Sequence, residues 1–143
     1  MTTPETTLLT ATHGAVRVLT LNRPASLNSF TAQMNVELRA ALEDVAADAS
    51  VRALVITGAG RGFCAGFDLS GGGEPPDALA QRWSDDPLWW EPEQVAARLL
   101  EAMQIPILLH RMPKPTIASI RGPAAGTGLV IAAACDLRIA SET

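Results

Sequence analysis

Two apolar runs in this sequence, RALVIT at 52–57 and TIASI at 116–120, each end in a glycine-rich turn. The turns are GAGRGFCAG at 58–66 and GPAAGTG at 122–128. Runs of this length, rich in β-branched and aliphatic residues, read as buried strands. The second turn leads straight into the apolar stretch Leu129–Cys135, which has helical length, and Asp136–Ala140 then starts another strand. Strands that alternate with helices are confined to βαβ units, because parallel neighbours need a crossover. The fold class is therefore α/β with a largely parallel sheet.

The remaining segments fit that frame. Leu8–Thr12 and Val16–Asn22 flank His13-Gly14 and read as a hairpin. Asn22-Arg23-Pro24 ends the second strand. Thr31 is a suitable N-cap for a helix running to about Asp48, with Met34, Leu38, Ala41, Leu42 and Val45 on one face. Glu93–Arg111 has helical spacing through Val95, Leu99 and Met103, and Pro106 is expected to kink or interrupt it. Residues 70–92 are rich in Gly, Pro and Asp and carry Trp83, Trp89 and Trp90. They read as a lid-like insertion in a single domain spanning 1–143.

Composition narrows the function. The 143 residues carry a net charge of −4 and Lys114 is the only lysine, which argues against nucleic acid or an anionic membrane as the main partner. The first residues, MTTPETTLLT, hold no basic region followed by an apolar stretch, and the apolar segment near 129–135 is too short to span a bilayer. Cys64 and Cys135 show no metal spacing and no disulfide framework, which suits a reducing cytoplasm.

The glycine turns do not match the common phosphate-binding fingerprints. A P-loop needs Gly-Lys-Ser/Thr, and Lys114 lies elsewhere. Gly58-Ala59-Gly60-Arg61-Gly62-Phe63 lacks the third glycine of a dinucleotide fingerprint. No serine sits at a nucleophile elbow, and neither His13 nor His110 is placed to serve one. Ordinary turns between packed elements remain one reading. The other is an oxyanion hole: a helix start offers unpaired N–H groups, and two such groups from two loops can hold one carbonyl oxygen.

RALVITGAGRGFCAGFDL and MPKPTIASIRGPAAGTGLVIAAACDLRIAS resemble signatures of the crotonase, or enoyl-CoA hydratase/isomerase, superfamily. LTLNRPASLNSFTAQMNVELRAAL resembles its Asn-Arg-Pro turn and first long helix. The three occur in family order and cover nearly all of the chain except the lid. The resemblance implies a spiral of ββα units that ends here before the C-terminal helical part, and a homo-oligomer, usually a trimer. It implies an acyl-CoA thioester substrate, with coenzyme A as part of the substrate and no separate cofactor or metal. It places the oxyanion donors at the backbone N–H groups of Phe67 and Thr127. Contacts to the coenzyme A moiety fall to Arg23, Ser26, Leu27, Ala65, Asp68 and Leu69. The implied activity is stabilisation of a thioester enolate in fatty-acid or related acyl-CoA metabolism.

One departure bears on the reaction. Hydratases of the family carry a catalytic Glu three residues after the second donor, and that position here is Val130. Valine can neither carry a proton nor hold a water. The family's second carboxylate falls beyond Thr143. Isomerase or other enolate chemistry, or an inactive acyl-CoA-binding remnant, therefore compete with hydration. Glu91 and Glu93 read first as solvated helix-start carboxylates, with replacement of the missing acid/base as the lesser reading. Cys64 has no histidine placed to activate it as a nucleophile, and Cys135 reads as core. Trp89 and Trp90 read as the roof of an acyl pocket, as packing within the lid or as a contact with another subunit.

Overall fold

The computed structural model describes residues 6–68 and 103–142. The lid-like insertion with its tryptophans, Leu69, Glu91, Glu93 and the helical spacing from 93 to 102 lie outside the described residues. The chain divides into two units, Met1–Phe67 with Ile105–Thr143, and Asp68–Gln104. Of the second unit Asp68, Met103 and Gln104 are described, the first and last half-buried and Met103 exposed.

In the first unit β1 (Leu8–His13) and β2 (Val16–Leu21) form an antiparallel hairpin in which His13 pairs with Val16. The turn between them needs a left-handed residue, and Gly14 supplies it at φ +60°. From β2 onward every pairing is parallel: to β3 (Ala53–Gly58), then β4 (Thr116–Ile120), then β5 (Leu137–Ala140), giving the order β1-β2-β3-β4-β5. The α/β class and the hairpin followed by parallel strands are as the sequence implies.

Helix α1 (Ala32–Ala47) crosses from β2 to β3. Thr31 caps it by accepting a hydrogen bond from the Met34 N–H at 3.2 Å. Met34, Leu38, Leu42 and Val45 are fully withdrawn from water and meet Leu19, Leu21, Leu54 and Ile56 in the core, with Ala41 partly buried beside them. Each such aliphatic side chain contributes about 1.5–3 kcal/mol. At the far end of α1, Lys114 Nζ donates to the carbonyl oxygens of Val45 and Asp48. Arg17 bridges Asp44 and Asp48 at 2.8 and 3.0 Å.

Helix α2 (Gln104–His110) buries Ile105 and Leu109. Pro106 lies in the first turn of the described helix, where an N–H has no acceptor within the helix, so the ring fits there without breaking it. Helix α3 (Thr127–Ala134) starts two residues earlier than the apolar run suggests, and buries Gly128, Ile131 and Ala132. All four residues of β5 are exposed.

The ends of β4 and α3 are held by a reciprocal clasp. The Thr116 N–H and hydroxyl both donate to Asp136 Oδ2 at 2.8 Å, and the Asp136 N–H donates back to Thr116 Oγ1 at 2.9 Å. The backbone N–H of Thr116, and then its hydroxyl, lower the Asp136 pKa below the ordinary carboxylate value. A carboxylate depressed in the folded state adds stability that is complete above its unfolded pKa, about 3.9, and is lost as pH falls through the folded value. Asp136→Asn is therefore expected to flatten the loss of stability on acidification below about pH 4. Urea melts of both proteins at stepped pH check this; identical acid slopes would remove Asp136 from the account.

Candidate functional site

Three loops meet at the carboxyl ends of β2, β3 and β4. After β2, Pro24–Ser26 forms a single 3-10 turn, and the chain then passes through Leu27 and Asn28 at φ +52° and +57°. Asparagine is among the residues that tolerate that region best. The loop after β3 runs alongside this stretch. The Ala65 N–H donates to the Leu27 carbonyl at 3.0 Å, and the Phe30 N–H donates to the Gly66 carbonyl at 2.7 Å. The rings of Phe30 and Phe67 meet edge to face, with centroids 6.0 Å apart.

The loop after β4 is tied to the same segment from the other side. The Phe63 and Cys64 N–H groups both donate to the Pro123 carbonyl, and the Ala125 N–H donates to the Cys64 carbonyl at 2.9 Å. The backbones touch where glycines face each other. A Cβ built on Gly66 would lie 3.0 Å from the Ala125 carbonyl oxygen and 3.5 Å from Gly126 Cα. One built on Gly126 would lie 3.5 Å from Gly66 Cα. The peptides that lead into Phe67 and Thr127 are thus held side by side.

Thr127 is the first residue of α3 and half-buried, and Phe67 is 55% exposed. Among the described residues neither N–H donates to any protein acceptor. Gly126 precedes α3 with φ +50° and supplies no side-chain cap; the Gly128 N–H donates to the Ala125 carbonyl at 2.9 Å, which leaves the Thr127 N–H at the helix start without an acceptor among the described residues.

The other residues singled out in the sequence fall into two groups. Arg23, Ser26, Leu27 and Ala65 sit on the same joined loops. Arg23 donates from Nη1 to the carbonyl and hydroxyl oxygens of Ser29, both at 2.7 Å. Together with Thr6, Thr7 and Gln33, Arg23 and Ser26 line an open cleft of about 680 Å³. Asp68 belongs to the second unit, and Leu69 lies outside the described residues.

Val130 lies one turn after Thr127 and is 43% exposed, with Leu129 beside it at 57%. Cys64 is buried beneath the loop, and desolvation raises its thiol pKa against a hydrogen bond from the Gly66 backbone. Desolvation likewise pushes Cys135 up to about 11. Both thiols stay protonated near neutral pH, which disfavours Cys64 as a nucleophile. Among the described residues no cluster of three His, Cys, Asp or Glu side chains is placed to hold a metal ion, and no helix is long and apolar enough to cross a membrane.

Sequence reasoning missed Asn28. It is fully buried and joins two of the three loops through its side-chain amide. The available signal was a polar residue four positions after Pro24, between Leu27 and Ser29 and just ahead of Phe30.

The same architecture occurs in solved proteins. An enoyl-CoA hydratase from Mycobacterium avium subsp. paratuberculosis superposes with a TM-score of 0.75 at 32% identity, over 99% of this chain and 50% of that one. A monofunctional enoyl-CoA isomerase from M. smegmatis superposes with a TM-score of 0.69 at 31% identity, over 94% and 50%. In sequence, the chain is 36% identical over 138 residues to the 1,2-epoxyphenylacetyl-CoA isomerase of Escherichia coli K12, covering 95% of this chain and 48% of that protein. The chain spans about half the length of these relatives. The glycine loops and the parallel sheet that carries them lie within residues 11–143, the stretch matched by the model of one family, and the chain belongs to that family, enoyl-CoA hydratase/isomerase.

Proposed function

We propose that this chain binds an acyl-CoA thioester and holds its carbonyl oxygen between the backbone N–H groups of Phe67 and Thr127, stabilising the enolate that forms when a proton leaves the acyl chain. The main-chain lock between the two glycine loops carries the reading. It sets the Gly66–Phe67 and Gly126–Thr127 peptides against each other, and among the described residues neither N–H has a protein acceptor. Two fixed donors in a water-poor site stabilise developing negative charge strongly; removing one such donor typically lowers kcat by about 10²–10³. The Thr127 donor adds the positive end of α3. Backbone donors do not depend on side-chain identity, so a threonine here and a phenylalanine there serve equally.

The coenzyme A portion would cross the turn at Arg23, Ser26 and Leu27 and run beside Ala65, continuing towards Asp68 and Leu69. Coenzyme A is then part of the substrate, and the chemistry belongs to fatty-acid or related acyl metabolism in the cytoplasm, carried out by a homo-oligomer.

Val130 favours a second reading, a non-catalytic acyl-CoA binder. It places an apolar side chain where a hydratase needs a proton carrier. Titration calorimetry with crotonyl-CoA against free CoA tests the common element of both readings. Tighter binding of the thioester is expected, and equal or absent binding of the two would sink the oxyanion hole. Turnover of the bound thioester would separate the enzyme from the binder.

A further inference from the structure

We infer that Asn28 is a positioning residue for the first oxyanion donor, an inference that rests on the proposed function above. Its side chain is fully buried, and each of its polar atoms has a defined partner. Oδ1 accepts from the Arg23 N–H at 2.8 Å, while Nδ2 donates to the Ala59 carbonyl at 2.9 Å and to the Gly62 carbonyl at 2.8 Å. The orientation of the amide is fixed by this pattern, since only the nitrogen can face two carbonyl oxygens and only the oxygen can face an N–H. The Asn28 backbone N–H closes the turn by donating to the Arg23 carbonyl at 2.9 Å.

These bonds act on the two segments that matter. Through Oδ1, Asn28 sets the turn that coenzyme A crosses. Through Nδ2, it fixes the beginning of the loop that ends at Phe67. The neighbours of Asn28 fix the end of that loop: the Leu27 carbonyl accepts from Ala65, and the Phe30 N–H donates to Gly66, the residue before the donor. The stretch 27–30 thus grips the loop at Ala59, Gly62, Ala65 and Gly66. There is no room to shift: a Cβ on Gly58 would come within 2.7 Å of Asn28 Nδ2. Asn28 touches no reacting atom. Its effect is to hold the Phe67 N–H at one place, and a misplacement of about 1 Å at such a site can cost on the order of a hundredfold.

The test measures recognition of the carbonyl, not binding alone. The whole chain, Asn28→Ala and Asn28→Asp would each be titrated with crotonyl-CoA and with S-butyl-CoA, a thioether of the same length that has no carbonyl. Asn28→Asp keeps the shape and the acceptor to Arg23 but sets an oxygen against the Ala59 and Gly62 carbonyls. The expected result is a thioester-over-thioether preference in the unsubstituted chain that falls about tenfold or more in both variants, with far-UV circular dichroism retained and thioether affinity little changed in Asn28→Asp, which keeps the bond to the Arg23 N–H. A preference kept in both variants would overturn the role of Asn28 and leave the oxyanion hole standing. Parallel loss of both ligands in Asn28→Asp, or loss of the fold in both variants, would also overturn it, because Asn28 would then support the domain and not the donor. No preference in the unsubstituted chain would overturn the oxyanion hole and the positioning role together.

Discussion

Gly128→Ala is expected to lower stability by about 3 kcal/mol or more and to abolish thioester recognition. Gly128 is the second residue of α3 and is buried against Cys64. A Cβ there would overlap the Cys64 carbonyl oxygen and lie 2.6 Å from Cys64 Cβ. Both obstacles are short and rigid, one of them backbone, so neither can turn aside. The helix start would have to lift off the loop after β3. That separation would break the bond from the Ala125 N–H to the same Cys64 carbonyl and carry Thr127 away from Phe67. At roughly 3–4 °C per kcal/mol for a chain of this size, the melting temperature should fall by about 10 °C. A variant that melts within about 2 °C of its parent would show that the loops are not packed as described. Alanine is ordinarily the better helix former by about 1 kcal/mol, so a destabilisation here is opposite in sign to the local propensity.

Val130→Glu is expected to create or raise hydration of crotonyl-CoA by about 10²-fold or more. The substitution places a carboxylate three residues after Thr127, the proposed second donor, where hydratases of the family carry one. Val130 is 43% exposed and its N–H already donates to the Gly126 carbonyl at 3.1 Å, so a longer polar side chain can be accommodated without opening the core. Stability should change by about 0.5 kcal/mol or less. Spectrophotometric loss of the enoyl double bond, measured on both proteins, gives the answer. If the variant folds, binds the thioester and still hydrates no faster than its parent, the carboxylate at position 130 alone is not what separates this chain from a hydratase.

The two predictions depend on features that were unequally visible in the sequence. The register of the hydrophobic face on α1, the capping Thr31 and the hairpin at His13-Gly14 all follow from spacing within a few residues. Local rules of that kind need no knowledge of what lies across the fold, and the structure bears them out. The start of α3 was less legible, because an apolar run marks which residues can be buried and not where the first helical N–H falls. The interruption expected at Pro106 concerns a helix from 93 to 111, of which 93–102 lie outside the described residues; in α2 the ring occupies a first-turn position that needs no donor.

By itself the sequence determined the α/β class, the order of strands and helices, and, through three motifs in family order, membership of the enoyl-CoA hydratase/isomerase family. It also marked Val130, since a missing carboxylate is visible in the residue itself. What only the tertiary structure decided is which atoms are left free and which are held. The placing of the Gly66–Phe67 and Gly126–Thr127 peptides depends on bonds between residues 30 and 66 and between residues 64 and 125, pairs far apart in sequence. The part played by Asn28 depends on carbonyl groups more than thirty positions away. Side-chain periodicity encodes which face is buried, but the pairing of backbone groups across loops is settled only when the sheet brings those loops to one end.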